Sequence, residues 1–477
     1  MSDPRPNVML VIGEDIGLYL SCYGRAECPT PTFDRLAAEG MRVHHAFSHT
    51  PVCAPSRSGL VTGRYPYSYG AHQMRSTLLD PPPMFTRALK QAGYQVSWPS
   101  KTDFNFEMPA ADISDTANWT TNALPKDGPW FCYTNLAPTH ESCMWPDDLK
   151  PEGVAARARL QAHERVDPAS VTVPPYLPDT PEVRIDIARH CENARVIDFM
   201  MADLLALLDA SGQADNTIVI FLSDHGPGIP RGKRWCYDLG VRMPLLVRWP
   251  GKIAPETVHT GLVGWVDIAP QILAWCGVNQ PAGLQGRVWH GEDISTPERA
   301  FCFGGRDRMD EQFEHIRFAR SQRYLYIRNF SHHLPYAQRN RYMETMPSMQ
   351  VWRRMHAEGS LTPQQAAWFA DHKPEEELYD CLTDPWQMHN LAEDPDHQAI
   401  LASHRSALET HLSEVGDLGA TSEWELIEQG LVADRISEEY RSRIQPLPEP
   451  YDNLGGPWDV DGTLWSADKM PAPTEAG

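Results

Sequence analysis

The chain has 477 residues, with 42 Lys and Arg against 63 Asp and Glu, a formal charge of −21 with histidine neutral. So acidic a composition argues against nucleic acid or an anionic membrane as partner, since both recruit basic faces, and no apolar run approaches the roughly 20 residues that span a bilayer. At about 100–200 residues per domain the length predicts two to three units, and 42% hydrophobic content with 15 Trp is ample for a globular interior.

The start, residues 1–6, carries no basic segment followed by an apolar one. The expectation is a soluble chain without a signal peptide in this sequence, periplasmic or secreted if one was removed and cytoplasmic otherwise. The ten cysteines include no Cys-x-x-Cys pair, unlike a zinc ribbon, and are too sparse for a disulfide scaffold. They predict mostly reduced, buried thiols, with Cys22–Cys28 and Cys132–Cys143 as the open alternatives for a bridge.

Residues 7–12 form an almost wholly apolar run ending on Gly13, the pattern of a strand buried on both faces of a parallel sheet. Glu14 and Asp15 follow at once, at the strand end where open α/β sheets gather ligands. Residues 31–40 read as a helix capped by Thr32 and closed by Gly40. A strand over 41–48 then delivers the chain to Cys53. A helix opening at 56–62 points free N–H groups toward that residue, which favours an anion there. Further helices are expected at 84–93, about 183–211 and 265–276, and strands at 94–98, 130–136, 217–222 and 243–249. This alternation predicts an α/β fold with a mixed, mainly parallel central sheet sandwiched by helices. Residues 141–179 form an irregular insertion, expected to wall the substrate cleft. Beyond about residue 295 the texture changes to short antiparallel strands (300–303, 315–319, 324–329) and helices at about 362–371 and 397–415. The division is a catalytic domain over 1–295, a smaller C-terminal α/β subdomain with an antiparallel sheet over 296–442, and a Pro-rich extended tail over 443–477.

Ser223-Asp224-His225-Gly226 follows its strand as Glu14-Asp15 follows the first. Two acid-bearing strand ends converging on one crevice make a divalent-cation site. Carboxylate oxygens suit calcium, while the His225 nitrogen moves preference toward manganese or another transition ion. Asn135-Leu136-Ala137-Pro138-Thr139-His140 ends another strand on an imidazole, which titrates near neutral pH and suits a general acid. Basic candidates stand in Lys101-Thr102-Asp103 and in Arg231-Gly232-Lys233-Arg234. Gly304-Gly305-Arg306-Asp307-Arg308 is Arg-rich and is expected on the substrate side.

The most specific stretch is Cys53-Ala54-Pro55-Ser56-Arg57, followed by Ser58-Gly59-Leu60-Val61-Thr62-Gly63-Arg64. It resembles the signature of the type I sulfatases of the alkaline phosphatase superfamily, and the likeness runs over roughly residues 5–395. The resemblance implies an alkaline phosphatase-like fold and oxidation of Cys53 to formylglycine by a formylglycine-generating or anaerobic maturation enzyme. It further implies a metal held by Glu14, Asp15, Asp224, His225 and the converted Cys53. Arg57 would hold the formylglycine hydroxyls, Lys101 and Lys233 the sulfate, and His140 would protonate the leaving group. Asp103 stands where many relatives have His and is expected to orient Lys101 or contact substrate, with Arg306 and Arg308 beside it. The likeness to heparan N-sulfatase-like enzymes implies a sulfated oligosaccharide or polysaccharide substrate. A phosphonate monoester hydrolase or phosphodiesterase of the same superfamily is the alternative, and a carbohydrate-binding protein without chemistry the remaining class.

Overall fold

The computed structural model describes residues 5–434 except 115–123, 126–127, 293, 296 and 311; the expected tail and residues 435–442 lie outside these. The strands, in chain order, are β1 (Asn7–Gly13), β2 (Met41–Phe47), β3 (Thr77–Leu78), β4 (Gln95–Ser97), β5 (Trp130–Leu136), β6 (Thr217–Ser223), β7 (Arg242–Met243), β8 (Leu245–Arg248), β9 (Thr257–Gly264), β10 (Cys302–Arg306), β11 (Ile316–Arg320), β12 (Tyr324–Asn329), β13 (Glu376–Asp380) and β14 (Val432–Ala433).

An eight-stranded sheet in the order β4-β5-β1-β6-β8-β2-β7, with β9 against β2, forms the centre. Pairing is parallel across β4-β5-β1-β6 and between β2 and β9, whereas β7 and β8 run against their neighbours. The sheet is therefore mixed and mainly parallel. Strand β1 shows why its sequence is continuous in apolar residues. Met9 and Val11 join a core with Phe33 of the helix Pro31–Glu39 and Ile187 of the helix Pro181–Ala210, while Val8, Leu10 and Ile12 join one with Leu60, Ile268 and Ile272 on the opposite face. Both faces are covered, so neither tolerates a polar alternation. Each such side chain contributes about 1.5–3 kcal/mol on burial. A second, antiparallel sheet, β10-β11-β12-β13, stands in the C-terminal region, and β14 pairs with β3.

The register decides where chemistry can occur. Gly13 of β1 pairs with Leu136 of β5 and with Ser223 of β6. Three strands thus end level, and Glu14-Asp15, the segment through His140, and Asp224-His225 leave the sheet at one edge.

The structure departs from the expectations at several points. The disulfide joins Cys28 to Cys191, 163 residues apart, while Cys22, Cys132 and Cys143 are free. Neither sequence-neighbour pairing forms, because the loop after β1 folds back onto the long helix and brings Cys28 against it. The helix after β2 spans Cys53–Thr62 and starts at the cysteine itself, every residue of it buried; Pro55 is tolerated within its first turn, where N–H groups lack partners. The stretch expected as one strand over 243–249 divides into β7 and β8. Strand β9 was not expected at all: its outer half is partly exposed and it contains two glycines, so only its pairing with β2 reveals it.

Candidate active site

Cys53, Asp15, Asp224 and His225 meet at the level strand ends, all buried. Their ligating atoms lie within 4.8 Å of one another. The Cys53 Sγ is 3.1 Å from His225 Nε2, which is 3.2 Å from Asp15 Oδ1. The His225 Nδ1 donates to Gly226 O at 2.9 Å, so its proton is on Nδ1 and the Nε2 lone pair faces Cys53 and Asp15. That orientation is how a metal-ligating histidine is held. Gly226 is required here: a Cβ would come within 1.9 Å of Leu239 O, since the backbone of the next loop lies across it. Asp15 has φ of 48°, a conformation held by its N–H donating to Asp224 Oδ1 at 3.0 Å and costing about 1 kcal/mol or more where the fold imposes it.

The donor set suits a divalent cation: two carboxylates and an unprotonated imidazole nitrogen around a buried point, with burial holding His225 below its usual pKa and the Lys233 ammonium overcoming burial to hold Asp15 well below the carboxylate range. Glu14 lies outside this set. Its carboxylate pairs with Lys101 and, at 3.6 Å, with Arg57, and burial raises its pKa. The thiol of Cys53 is pushed up by burial and so stays protonated at neutral pH. A protonated, buried thiol is a poor nucleophile.

Cations close the other side. Arg57 donates to Asp224 Oδ2 at 2.9 and 3.1 Å, to Asn135 Oδ1 at 2.8 Å and to the Tyr133 hydroxyl. Lys233 Nζ bonds Asp15 Oδ2 at 2.8 Å and Glu141 Oε1 at 3.0 Å. Lys101, its side chain 29% exposed, stands at the mouth and pairs with Asp103 at 3.2 Å. His140 accepts from the Ser142 N–H at Nδ1, which leaves its proton on Nε2; burial, with Lys233 nearby, lowers its pKa to about 4.

Glu141, Arg234, Tyr133, Asn135 and Asp310 belong to this cluster and were not singled out from sequence. Arg234 grips Glu141 at 2.8 and 2.7 Å and reaches Asp310 at 3.4 Å. The available signals were the acid directly after His140, the second cation after Lys233, and the spacing of 133 and 135 on one face of a strand. The two arginines expected on the substrate side have different surroundings. Arg308 is bound to Glu423, Asp310 O and Met74 O. Arg306 lies buried over the Trp235 ring at 4.0 Å, its Nε and Nη1 without a hydrogen-bond partner among the described residues.

A mainly parallel sheet with a nucleophile position, an acidic donor set and converging cations at its strand ends defines a hydrolase of anionic esters. The sulfatase family model matches residues 6–278. An ulvan-active sulfatase of Formosa agariphila is 33% identical over 89% of this chain and 77% of its own length, and the human N-sulphoglucosamine sulphohydrolase 24% identical over 93% and 95%. A solved 2-O GAG sulfatase superposes with a TM-score of 0.63 at 18% identity, covering 88% of this chain and 94% of that one. The chain belongs to the sulfatase family and is a sulfuric ester hydrolase. No helix among the described residues is long and apolar enough to cross a membrane.

Proposed function

We propose that the enzyme removes sulfate from a sulfated oligosaccharide or polysaccharide, as an O-sulfate ester or a sulfamate, through a formylglycine made from Cys53. The observation that carries this reading is the position of the Cys53 side chain: buried, with Sγ 3.1 Å from His225 Nε2 and grouped with Asp15 and Asp224, in the field of Lys233 and Lys101. As cysteine it has little reactivity. Converted to the aldehyde by a maturation enzyme and hydrated, the residue supplies an oxygen nucleophile and a means of expelling sulfate by re-forming the aldehyde. A divalent cation held by Asp15, Asp224 and His225, calcium first and manganese second, supplies Lewis-acid polarisation and charge compensation when bound; Glu14 completes the set if Lys101 turns to substrate.

Lys233 and Lys101 bind the sulfate oxygens, and their fixed charges oppose the negative charge that develops as the S–O or S–N bond breaks. Arg57, anchored on Asp224 and Asn135, holds the hydroxyls at position 53. His140 presents Nε2–H to the leaving atom. Its low pKa belongs to the free site; the negative charge of a bound sulfate favours the imidazolium, in which a second proton, taken from solvent, sits on Nδ1 and donates to Ser142 Oγ at 2.8 Å, so that loss of Nε2–H to the leaving atom returns a neutral ring. Asp103 orients Lys101, and Arg306 is the remaining cation for substrate. The names of the ulvan and N-sulphoglucosamine relatives support a sugar substrate.

The test pairs the mass of the tryptic peptide containing Cys53 with sulfate release from ulvan- and heparan-derived oligosaccharides. Formylglycine together with sulfate release is expected. Formylglycine with cleavage of an aryl phosphate diester, and no sulfate from any saccharide, overturns the reading in favour of the phosphodiesterase alternative.

A further inference from the structure

Two aromatic rings from distant parts of the chain meet beside His140. Trp145 follows the short turn Glu141–Met144 that begins at the end of the His140 segment, and Tyr342 lies in the helix Arg341–Glu344 of the C-terminal region. Their centroids are 4.8 Å apart at 55°. Tyr342 stands edge-on to the His140 ring at 6.3 Å and lies under the Arg234 guanidinium at 5.9 Å. Both rings are only partly buried, although the Trp145 Nε1 atom itself is buried.

The position of Tyr342 is fixed from the catalytic side. Arg234 reaches Asp310, Asp310 accepts from Asn340 Nδ2 at 3.1 Å, and Asn340 Oδ1 accepts the Met343 N–H at 3.2 Å. The same Arg234 grips Glu141, the first residue of the turn that leads to Trp145. One buried arginine therefore registers both rings against the histidine on the leaving-group side.

We propose that Trp145 and Tyr342 form the subsite for the pyranose ring that carries the scissile sulfate, an assignment that rests on the saccharide sulfatase reading above. A pyranose presents axial C–H groups on one face, and these stack on an aromatic ring. An acyclic sulfate ester offers no such face, so these rings select for the sugar while the lysines select for the sulfate.

The experiment measures KM and kcat for sulfate release from the sulfated oligosaccharide that the wild-type enzyme accepts, together with the inhibition constant of inorganic sulfate, which fills the anion pocket alone. Trp145→Ala and Tyr342→Ala are each expected to raise KM roughly three- to tenfold, with the effect on KM rather than kcat and the inhibition constant of sulfate unmoved. Trp145→Phe and Tyr342→Phe restore most of the stacking and hence most of KM. If the alanine variants keep the wild-type KM, or weaken sulfate inhibition in step with KM without rescue by phenylalanine, the subsite is refuted and the sulfatase reading stands. If the wild-type enzyme binds sulfate but releases none from any saccharide, the saccharide reading fails and the subsite with it.

Discussion

Glu141 is the carboxylate on which two buried cations depend, and Glu141→Gln isolates its charge at constant size. Arg234 donates to it at 2.8 and 2.7 Å and Lys233 Nζ lies 3.0 Å away, with all three side chains nearly inaccessible. At an effective dielectric of about 20 each contact at this range is worth about 5 kcal/mol gross. The amide retains part of the hydrogen bonding, and Asp15 and Asp310 continue to compensate at 2.8 and 3.4 Å, so the net loss should match the 3–5 kcal/mol typical of breaking a buried pair by removing one partner. Burial alone would raise the Glu141 pKa, but Arg234 and Lys233 hold it at about 2. A depressed carboxylate contributes stability above its unfolded pKa, which is lost only as pH falls through the folded one. The deficit of Glu141→Gln is therefore expected to be the same at pH 6 and pH 8. Guanidinium denaturation of the single variant and of Glu141→Gln/Arg234→Met measures it. The double variant should regain about half, because the uncompensated guanidinium is gone. Sulfate release by the single variant should fall roughly ten- to a hundredfold as Lys233 loses one of its two anchors. A single variant as stable as wild type, or a double variant as unstable as the two changes summed, refutes the counter-ion reasoning.

Thiol titration of the denatured, unreduced protein should find the eight free cysteines if Cys53 is unconverted and one fewer if it is formylglycine; two additional thiols mean that the Cys28–Cys191 bridge is absent. Because that bridge closes a loop of 163 residues, Cys191→Ala should cost about 2–5 kcal/mol, and an unchanged denaturation midpoint contradicts this. Burial lowers His49, His72 and His190 to about 4. Their stabilising contribution is complete above the unfolded pKa near 6.5 and shrinks as pH falls toward 4, since the unfolded chain takes up protons that the folded one refuses. Near pH 5 stability should fall by about 1.4 kcal/mol per pH unit for each fully engaged histidine, and a flat denaturation profile between pH 7 and pH 5 would count against it. Chelation should abolish sulfate release and lower the melting temperature, because Asp15 and Asp224 lose their bound counter-charge; at a free ion concentration of 100 times Kd the ion is worth about 2.7 kcal/mol. Restoration by manganese and not by calcium assigns the imidazole nitrogen the deciding role.

Much of the site was legible in sequence because its parts are local. Cys53 to Arg57 lie within one helical turn, Asp15 and Asp224 stand just beyond the ends of β1 and β6, and His140 follows the end of β5 by four residues. The runs 7–12, 130–136 and 217–222 are readable because strands buried on both faces are dominated by apolar residues, and the matching strands β1, β5 and β6 differ from them by a residue or less at either end. Other features depend on what lies opposite. Strand β9, with partly exposed residues and glycines, has no periodicity of its own and exists through its pairing with β2. The Cys28–Cys191 bridge and the contact of Arg234 with Glu141, 93 residues away, require the loop after β1 and the loop after β6 to fold over the same strand ends. Trp145 and Tyr342 are likewise unremarkable in sequence and become neighbours only when the C-terminal region packs on the sheet edge. Chain-local patterns carry the position of a side chain on its own element; the choice of partners is made by the register of the strands and by the charges that must find one another once water is excluded.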